Sequence, residues 1–321
     1  MINSLPYSLS GKRVWVCGHN GMVGSAIVRR LEKENNVEVL TTERSDVDLV
    51  NQASVNAWLA QNKPDAIFLA AAKVGGIHAN NSYPADFIYL NTMISSNVIH
   101  AAFKNQVEKL LFLGSSCIYP KMAPQPIKEG ALLTGPLEPT NQWYAIAKIS
   151  GIMMAQAYRA QYDCDFISAM PTNLYGPNDS YHPENSHVIP AIIQKVHTAK
   201  VNNEPTIEIW GTGKIYREFM HADDCADGLV FLMKNCSQHE HINLGTGKDV
   251  TILELTKTIM KIVEYEGEIV HDLTKPDGPP KKMMDTSQLS TLGWSPTYEL
   301  DSGLRHAYQW FLENEEGSRS T

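Results

Sequence analysis

The chain has no uninterrupted apolar stretch approaching the roughly 18 to 20 residues needed to span a bilayer, so it is not expected to enter a membrane. The opening residues, 1–10, carry no basic start followed by an apolar run, and a secretory signal is not expected either. Cysteine is sparse: five residues, at 17, 117, 164, 225 and 236, an odd number without Cys-x-x-Cys spacing. That excludes complete pairing into disulfides and fits a reducing compartment, so a cytoplasmic protein is expected. No metal site is expected. Basic charge is in deficit, with 27 Lys and Arg against 35 Asp and Glu and a formal net charge of −8. A general nucleic-acid binder presents a basic surface, so a nucleic-acid partner is not expected. Any anionic ligand must be held by a local basic cluster. Internal repeats and low-complexity linkers are absent as well.

What is present is an ordinary globular composition, 43% apolar and 19% charged over 321 residues, ample for a large core. In the first half, short runs rich in Val, Ile, Leu and Phe alternate with longer amphipathic segments. The runs are 13–17, 37–41, 66–71, 110–114 and 166–170, and the helical candidates are 22–33, 53–61, 85–104 and 143–162. Such alternation predicts an α/β fold with a doubly wound parallel sheet of Rossmann type. After Pro171 the rhythm loosens, with helices expected at 188–200, 222–234, 252–265 and 300–312 and strands at 207–210 and 241–244. The expected division is a nucleotide-binding domain at 1–175 and a smaller α/β substrate lobe at 176–321, some of whose segments can return to the first domain. The cleft between them is the expected site. A frayed tail is expected at 317–321.

The motifs sit where that fold would use them. Gly18-His19-Asn20-Gly21-Met22-Val23-Gly24 follows a strand and enters a helix, the context in which glycines let a dinucleotide pyrophosphate approach the bare amides of a helix N-terminus. Thr42-Glu43-Arg44-Ser45 closes the second strand. An acidic residue there binds ribose hydroxyls and a basic one favours a 2′-phosphate; both occur, and Arg44 tilts the expectation to NADP(H). Asp48 and Leu49 can flank the adenine, although a solvated helix start explains them as well.

Ser115, in Gly114-Ser115-Ser116-Cys117-Ile118-Tyr119-Pro120, ends the fourth strand, at the sheet edge where ligands bind. Of thirteen tyrosines only Tyr144 has a lysine, Lys148, four residues on, and the two share a helix face. The ammonium is expected to favour the ionised phenol, with Ser115 holding a carbonyl oxygen toward it. Cys117 would face the same side as Ser115 if the backbone stays extended. A thiol near a cation is a useful base, but a buried structural cysteine is the commoner fate. Pro171-Thr172-Asn173-Leu174 ends the fifth strand and can line a nicotinamide pocket. His187 stands where a loop becomes a helix; an imidazole there can exchange protons near neutral pH, although a surface histidine is the ordinary reading. Trp210 and Arg217 can stack on a base and grip a phosphate, with Lys195, Lys281 and Lys282 adding positive charge.

With Ser115, Tyr144 and Lys148 behind a glycine loop, the chain resembles the extended short-chain dehydrogenase/reductases. The strings 114–120, 71–77, 171–177 and 185–190 narrow the resemblance to the epimerase/reductases of GDP-linked ketosugars, from Arg13 to about Glu313. It implies NADPH-dependent conversion of GDP-4-keto-6-deoxy-D-mannose to GDP-L-fucose, with a GDP-colitose-forming relative or a non-catalytic NADP-binding regulator as alternatives. Ser115, Tyr144 and Lys148 would be the reductive triad, with Cys117 and His187 the epimerising pair. Gly18, Asn20, Gly21, Met22, Val23, Gly24, Arg44, Asp48, Leu49, Lys148, Pro171, Thr172, Asn173, Leu174 and His187 would meet the cofactor. Lys195, Trp210, Arg217 and Asp277 would meet the substrate. The resemblance also implies a homodimer through the two long helices. Asn20 departs from the pattern, standing where bacterial members often carry an arginine for the 2′-phosphate.

Overall fold

The short apolar runs become buried strands, because a run of Val, Ile, Leu and Phe with no polar side to offer can only lie inside a sheet covered on both faces. The structure is a computed structural model that describes residues 6–182, 186–275 and 277–314, with side chains at all of these except 77 and 78. Asn185 and the tail at 317–321 lie outside the described residues. The first half runs β1 Arg13–Cys17, α1 Met22–Leu31, β2 Glu38–Leu40, α2 Gln52–Asn62, β3 Ala66–Leu69, α3 Ile77–Ser82, α4 Pro84–Lys104, β4 Lys109–Leu113, α5 Gln142–Tyr162 and β5 Asp165–Pro171. It continues through β6 Asn173–Tyr175, α6 Val188–Asn202, β7 Thr206–Trp210, β8 Tyr216–His221, α7 Ala222–Asn235, β9 Ile242–Leu244 and β10 Asp249–Thr251. The remainder is α8 Ile252–Val263, β11 Glu268–Asp272, β12 Lys281–Lys282, α9 Ser287–Thr291 and α10 Leu300–Glu313.

Six parallel strands form the central sheet in the order β2-β1-β3-β4-β5-β9, a doubly wound sheet whose order reverses between β1 and β3. One face packs against α1 and α7 around Val14, Val16, Phe68, Leu111, Leu229 and Met233. The other packs against α2, α4 and α5 around Trp15, Ile67, Val98, Leu110, Phe112 and Ile152. The expected ranges of these strands and helices hold to within a few residues. Helix ends carry the local chemistry that stops them: Asn51 caps α2 by accepting from the amides of Ala53 and Ser54, and Thr251 and Glu254 form a reciprocal capping box on α8. Each such cap is worth about 1 kcal/mol.

A second core, built from α6, α8, α10 and β7, gathers Ile189, Ile193, Leu255, Ile259, Leu304 and Phe311. Beside it β8 pairs with β6, β10 and β12. The sequence pattern conceals this sheet: β6, β10 and β12 are two or three residues long, and β8 reads Tyr-Arg-Glu-Phe-Met-His. A charged residue inside a strand argues against burial, yet Glu218 is fully buried. Its carboxylate accepts from the amides of Thr246, Gly247 and Met284 at 2.6, 2.8 and 2.9 Å, which replaces the water it lost. Both β9 and α7 follow residue 176, yet β9 completes the first sheet beside β5 and α7 packs on α1.

Helix α5 seats closely on β4 because Gly151 has no side chain; a Cβ there would run into the ring of Phe112. Alanine normally gains about 0.5–1 kcal/mol over glycine inside a helix. Here overpacking outweighs that gain, and Gly151→Ala is expected to lower the unfolding free energy by about 1–3 kcal/mol in urea titration.

Candidate active site

The glycine loop leaves β1 at the point where the sheet order reverses, the position at which open α/β sheets bind ligands. Gly18 has φ of 87°, and a Cβ on it would lie 2.8 Å from the Ala71 backbone. A Cβ on Gly24 would collide with the Gly18 carbonyl, whereas one on Gly21 would meet only that same oxygen at 3.5 Å. Two glycines therefore hold the turn, and the third leaves bare space over the start of α1. No side chain caps that start, which leaves the amides of Met22 and Val23 bare and the dipole uncompensated. The cradle fits the pyrophosphate of a dinucleotide. At its rim Asn20 Nδ2 donates to Glu43 Oε2 at 2.9 Å, and His19 Nε2 lies 3.2 Å from Glu43 Oε1. Arg44 and Asp48 are exposed; the Asp48 carboxylate accepts from the Val50 amide at 3.0 Å, and Leu49 packs on the core beneath α4.

At the end of β4 the chain turns rather than continuing extended. Ser115 opens a single 3₁₀ turn, Ser116–Ile118, and its hydroxyl accepts from the Cys117 amide at 3.4 Å. The expected alternation along an extended backbone does not occur, but the turn brings the same two side chains together, with the Cys117 thiol donating to Ser115 Oγ at 3.0 Å. Cys117 is almost fully buried.

Tyr144 lies half-buried in the first turn of α5, edge-on to Phe87 with ring centroids 6.1 Å apart. One turn on, Lys148 is buried, donates to the Leu113 carbonyl at 2.8 Å, and places Nζ 5.7 Å from the Tyr144 ring centre and 5.0 Å from that of Phe112. The expectation of an acidified phenol is overturned. Burial raises the Tyr144 pKa above the ordinary phenol value, the nearby Cys117 adds to the rise, and the amine spends a hydrogen bond on Leu113 instead. The same burial lowers Lys148 to about 8. A neutral phenol is the form that donates a proton, so the pair is poised for donation rather than for a standing phenolate.

Lys282 interacts electrostatically with Cys117. Burial lowers its pKa, Arg217 adds to the fall, and Cys117 and Glu138 oppose it. Two lysines thus lie within electrostatic reach of the thiol, Lys148 from α5 and Lys282 from β12. Only the second lysine's place was unreadable in sequence, because the two-residue β12 gives no pattern to locate it.

His187 is the N-cap residue of α6, with backbone φ −74° and ψ 173° and open surface toward solvent. Surrounding protein still lowers its pKa below the ordinary imidazole value. Among the described residues no hydrogen bond joins it to Cys117. Pro171 pairs with Leu244 in the main sheet, while Thr172 Oγ1 and Asn173 Nδ2 donate to the Glu218 carbonyl at 3.2 and 2.8 Å. Leu174 pairs with Met220 in the next strand register. That segment ties the first sheet to β8.

On the lobe, the exposed indole of Trp210 has Lys195 Nζ at 5.7 Å and Lys275 Nζ at 5.3 Å from its ring centre. Arg217 donates to the carbonyls of Tyr216 and Pro279 at 2.7 and 2.8 Å. Asp277 accepts from the Thr212 amide and hydroxyl at 2.7 and 2.9 Å, so both its oxygens brace the turn after Trp210. An aromatic plate flanked by cations suits a nucleoside diphosphate.

The NAD dependent epimerase/dehydratase family model matches residues 14–245. The chain belongs to that family. It is 55% identical over 315 residues, 98% of each chain, to GDP-L-fucose synthase 1 of Arabidopsis thaliana. Its identity to the GDP-L-fucose synthase of Escherichia coli (strain K12) is 52% over 322 residues, 97% of this chain and 100% of that one. Among solved structures, a GDP-L-fucose synthetase from Naegleria fowleri bound to NADP matches all of both chains with TM-score 0.92 and 26% identity.

Lys148 gives a pH signature. Its folded pKa of about 8 lies below the unfolded value near 10.4, so the unfolded chain binds more protons between those limits. Relative to a Lys148→Met variant, wild-type stability is expected to rise by about 2–3 kcal/mol from pH 8 to pH 10.5, and to be flat below pH 7, in denaturant titrations.

Proposed function

We propose that the chain is an NADPH-dependent epimerase/reductase that converts GDP-4-keto-6-deoxy-D-mannose to GDP-L-fucose. The observation that carries this reading is the Cys117 thiol on the Ser115 hydroxyl, within reach of the Tyr144 and Lys148 pair. A reductase alone needs the serine, tyrosine and lysine. A buried thiol within electrostatic reach of Lys148 and Lys282 adds the means for carbon acid chemistry at the same carbonyl.

Beside a ketone at carbon 4, the hydrogens on carbons 3 and 5 are acidic, since removing either leaves an enolate with its charge on the ketone oxygen. Cys117 removes a proton from one face and His187 returns one to the other, inverting each centre in turn. Burial lowers the basicity of His187, which makes its imidazolium a ready donor. Ser115 and Tyr144 donate to the oxygen on which the charge collects. The bound nicotinamide supplies the hydride that reduces carbon 4. Tyr144 gives its phenolic proton to the same oxygen, and Lys148 holds the ring against the end of β4. The GDP moiety lies along Trp210, Lys195 and Arg217, with Asp277 fixing the loop between them. Met22, Val23 and the glycines hold the pyrophosphate.

The long helices α4 and α5 support a homodimer. Tyr89 on α4, and Trp143, Ile146 and Met153 on α5, leave large apolar side chains exposed on these two helices, which pack on each other. No helix among the described residues is long and apolar enough to cross a membrane, and a cytoplasmic site of action is in keeping with five free cysteines.

Incubation with GDP-4-keto-6-deoxymannose and NADPH is expected to yield GDP-L-fucose, identified by NMR of the product sugar. Cys117→Ser should cut that conversion about a hundredfold or more while NADPH binding changes little. Equal loss of both would remove the thiol from its proposed role, and turnover confined to a 3,6-dideoxy ketosugar would move the reading to the colitose-forming branch.

A further inference from the structure

The turn that carries Cys117 is held at its two ends by different means. Its near end follows from β4, where the Gly114 amide donates to the Ala169 carbonyl at 2.9 Å. Its far end is Tyr119, a buried residue whose phenol reaches into the central sheet. The hydroxyl donates to Asn243 Oδ1 at 2.5 Å, and His241 Nε2 lies 3.0 Å from the same phenol oxygen. The phenol has one proton to give and spends it on Asn243, so His241 Nε2 carries the hydrogen of the second contact. Asn243 is fully buried in β9, and both ends of its side chain are engaged, since Nδ2 donates to the carbonyls of Ile127 and Asp285 at 2.9 and 3.1 Å. Its backbone amide donates to Glu129 Oε1 at 3.1 Å. Asp285 lies a few residues beyond Lys282. One asparagine therefore fastens both the Cys117 turn and the segment that carries Lys282.

We infer that Tyr119 is a positioning residue for epimerisation: its hydroxyl, fastened to Asn243 and His241, fixes the approach of the Cys117 thiol, acting through the turn and not on the sugar. This rests on the proposed proton exchange by Cys117. A buried polar network with its members paired holds one geometry. Burial lowers His241 to about 4, so the network carries no imidazolium at pH 7. Proton removal from carbon depends on such placement, an error of about 1 Å in a reacting group costing about a hundredfold. Hydride transfer leans on it less. Ser115 sits at the near end of the turn, and Tyr144 and Lys148 are set by the contact between α5 and β4. Loss of the Tyr119 hydroxyl is thus expected to separate the two steps.

Two rates measured separately test this. One is the entry of solvent deuterium at carbons 3 and 5 of GDP-4-keto-6-deoxymannose in the presence of NADP⁺; the other is oxidation of GDP-L-fucose by NADP⁺, the hydride step in reverse. Tyr119→Phe is expected to slow exchange by about tenfold to a hundredfold, with the hydride rate, the KM for the sugar nucleotide and the dissociation constant of NADPH each within about threefold of wild type. Val55→Ala, in the same core but on α2, should lower stability and leave the ratio of the two rates unchanged. His241→Leu leaves the bond to Asn243 and should lower the ratio in the same direction, while His241→Gln, which retains a side-chain N–H, should restore it. Equal slowing of both rates by Tyr119→Phe, or exchange at the wild-type rate in that variant, would overturn the inference. Should Tyr119→Phe fail to fold, an unchanged ratio in His241→Leu would overturn it instead. If the wild-type protein exchanges no deuterium, the proposed role of Cys117 falls and the inference with it.

Discussion

The Lys148 ammonium donating to the Leu113 carbonyl, across the face of Phe112, is the contact on which the site depends. It joins the first turns of α5 to the last residue of β4, the two elements that carry Tyr144 and Ser115. A buried amine is costly in isolation, and the hydrogen bond and the aromatic face repay part of that cost. Gly151, one turn further on, permits the same close approach by leaving room for the Phe112 ring. The phenol, hydroxyl and thiol therefore converge because helix and strand are clamped together, not because any one loop is shaped to hold them.

That clamp also sets the electrostatics. Desolvation dominates the phenol and the two amines: it lifts Tyr144 and depresses Lys148 and Lys282. These three groups are thus biased toward their neutral forms. A site of this kind suits successive proton transfers around one carbonyl, where the same residues must give and take protons in turn. The cofactor cradle works by the opposite principle, with bare amides at the start of α1 offering fixed partial charge to an anion.

The first sheet and most of its helices were legible in the sequence, because continuous apolar strands and capped amphipathic helices each bear a period of their own. The placement of Ser115 just past a strand end and of Tyr144 and Lys148 one turn apart on one helix was legible too, since helix spacing and strand ends place side chains predictably. The lobe was less so. Strand β8 hides behind Arg217 and Glu218, and the burial of Glu218 is made possible only by amides from segments distant in sequence. The 3₁₀ turn that joins Cys117 to Ser115 likewise has no periodic signature. The acidified phenol was misjudged because the i, i+4 spacing shows that a lysine is near but not what else the lysine bonds. The same holds at the cofactor rim, where charge of both signs occurs in sequence and only the fold reveals that Glu43 is tied down while Arg44 is exposed.

The central claim is that one cluster both exchanges protons beside a ketone and reduces that ketone. It is tested most directly by incubating the protein with GDP-4-keto-6-deoxymannose in D₂O and following the sugar by NMR and mass spectrometry. Deuterium should enter carbons 3 and 5 from solvent, while carbon 4 should gain its hydrogen only when a reduced nicotinamide is supplied, with label from the nucleotide and none from D₂O. Reduction at carbon 4 with no solvent deuterium at carbons 3 or 5 would contradict the account.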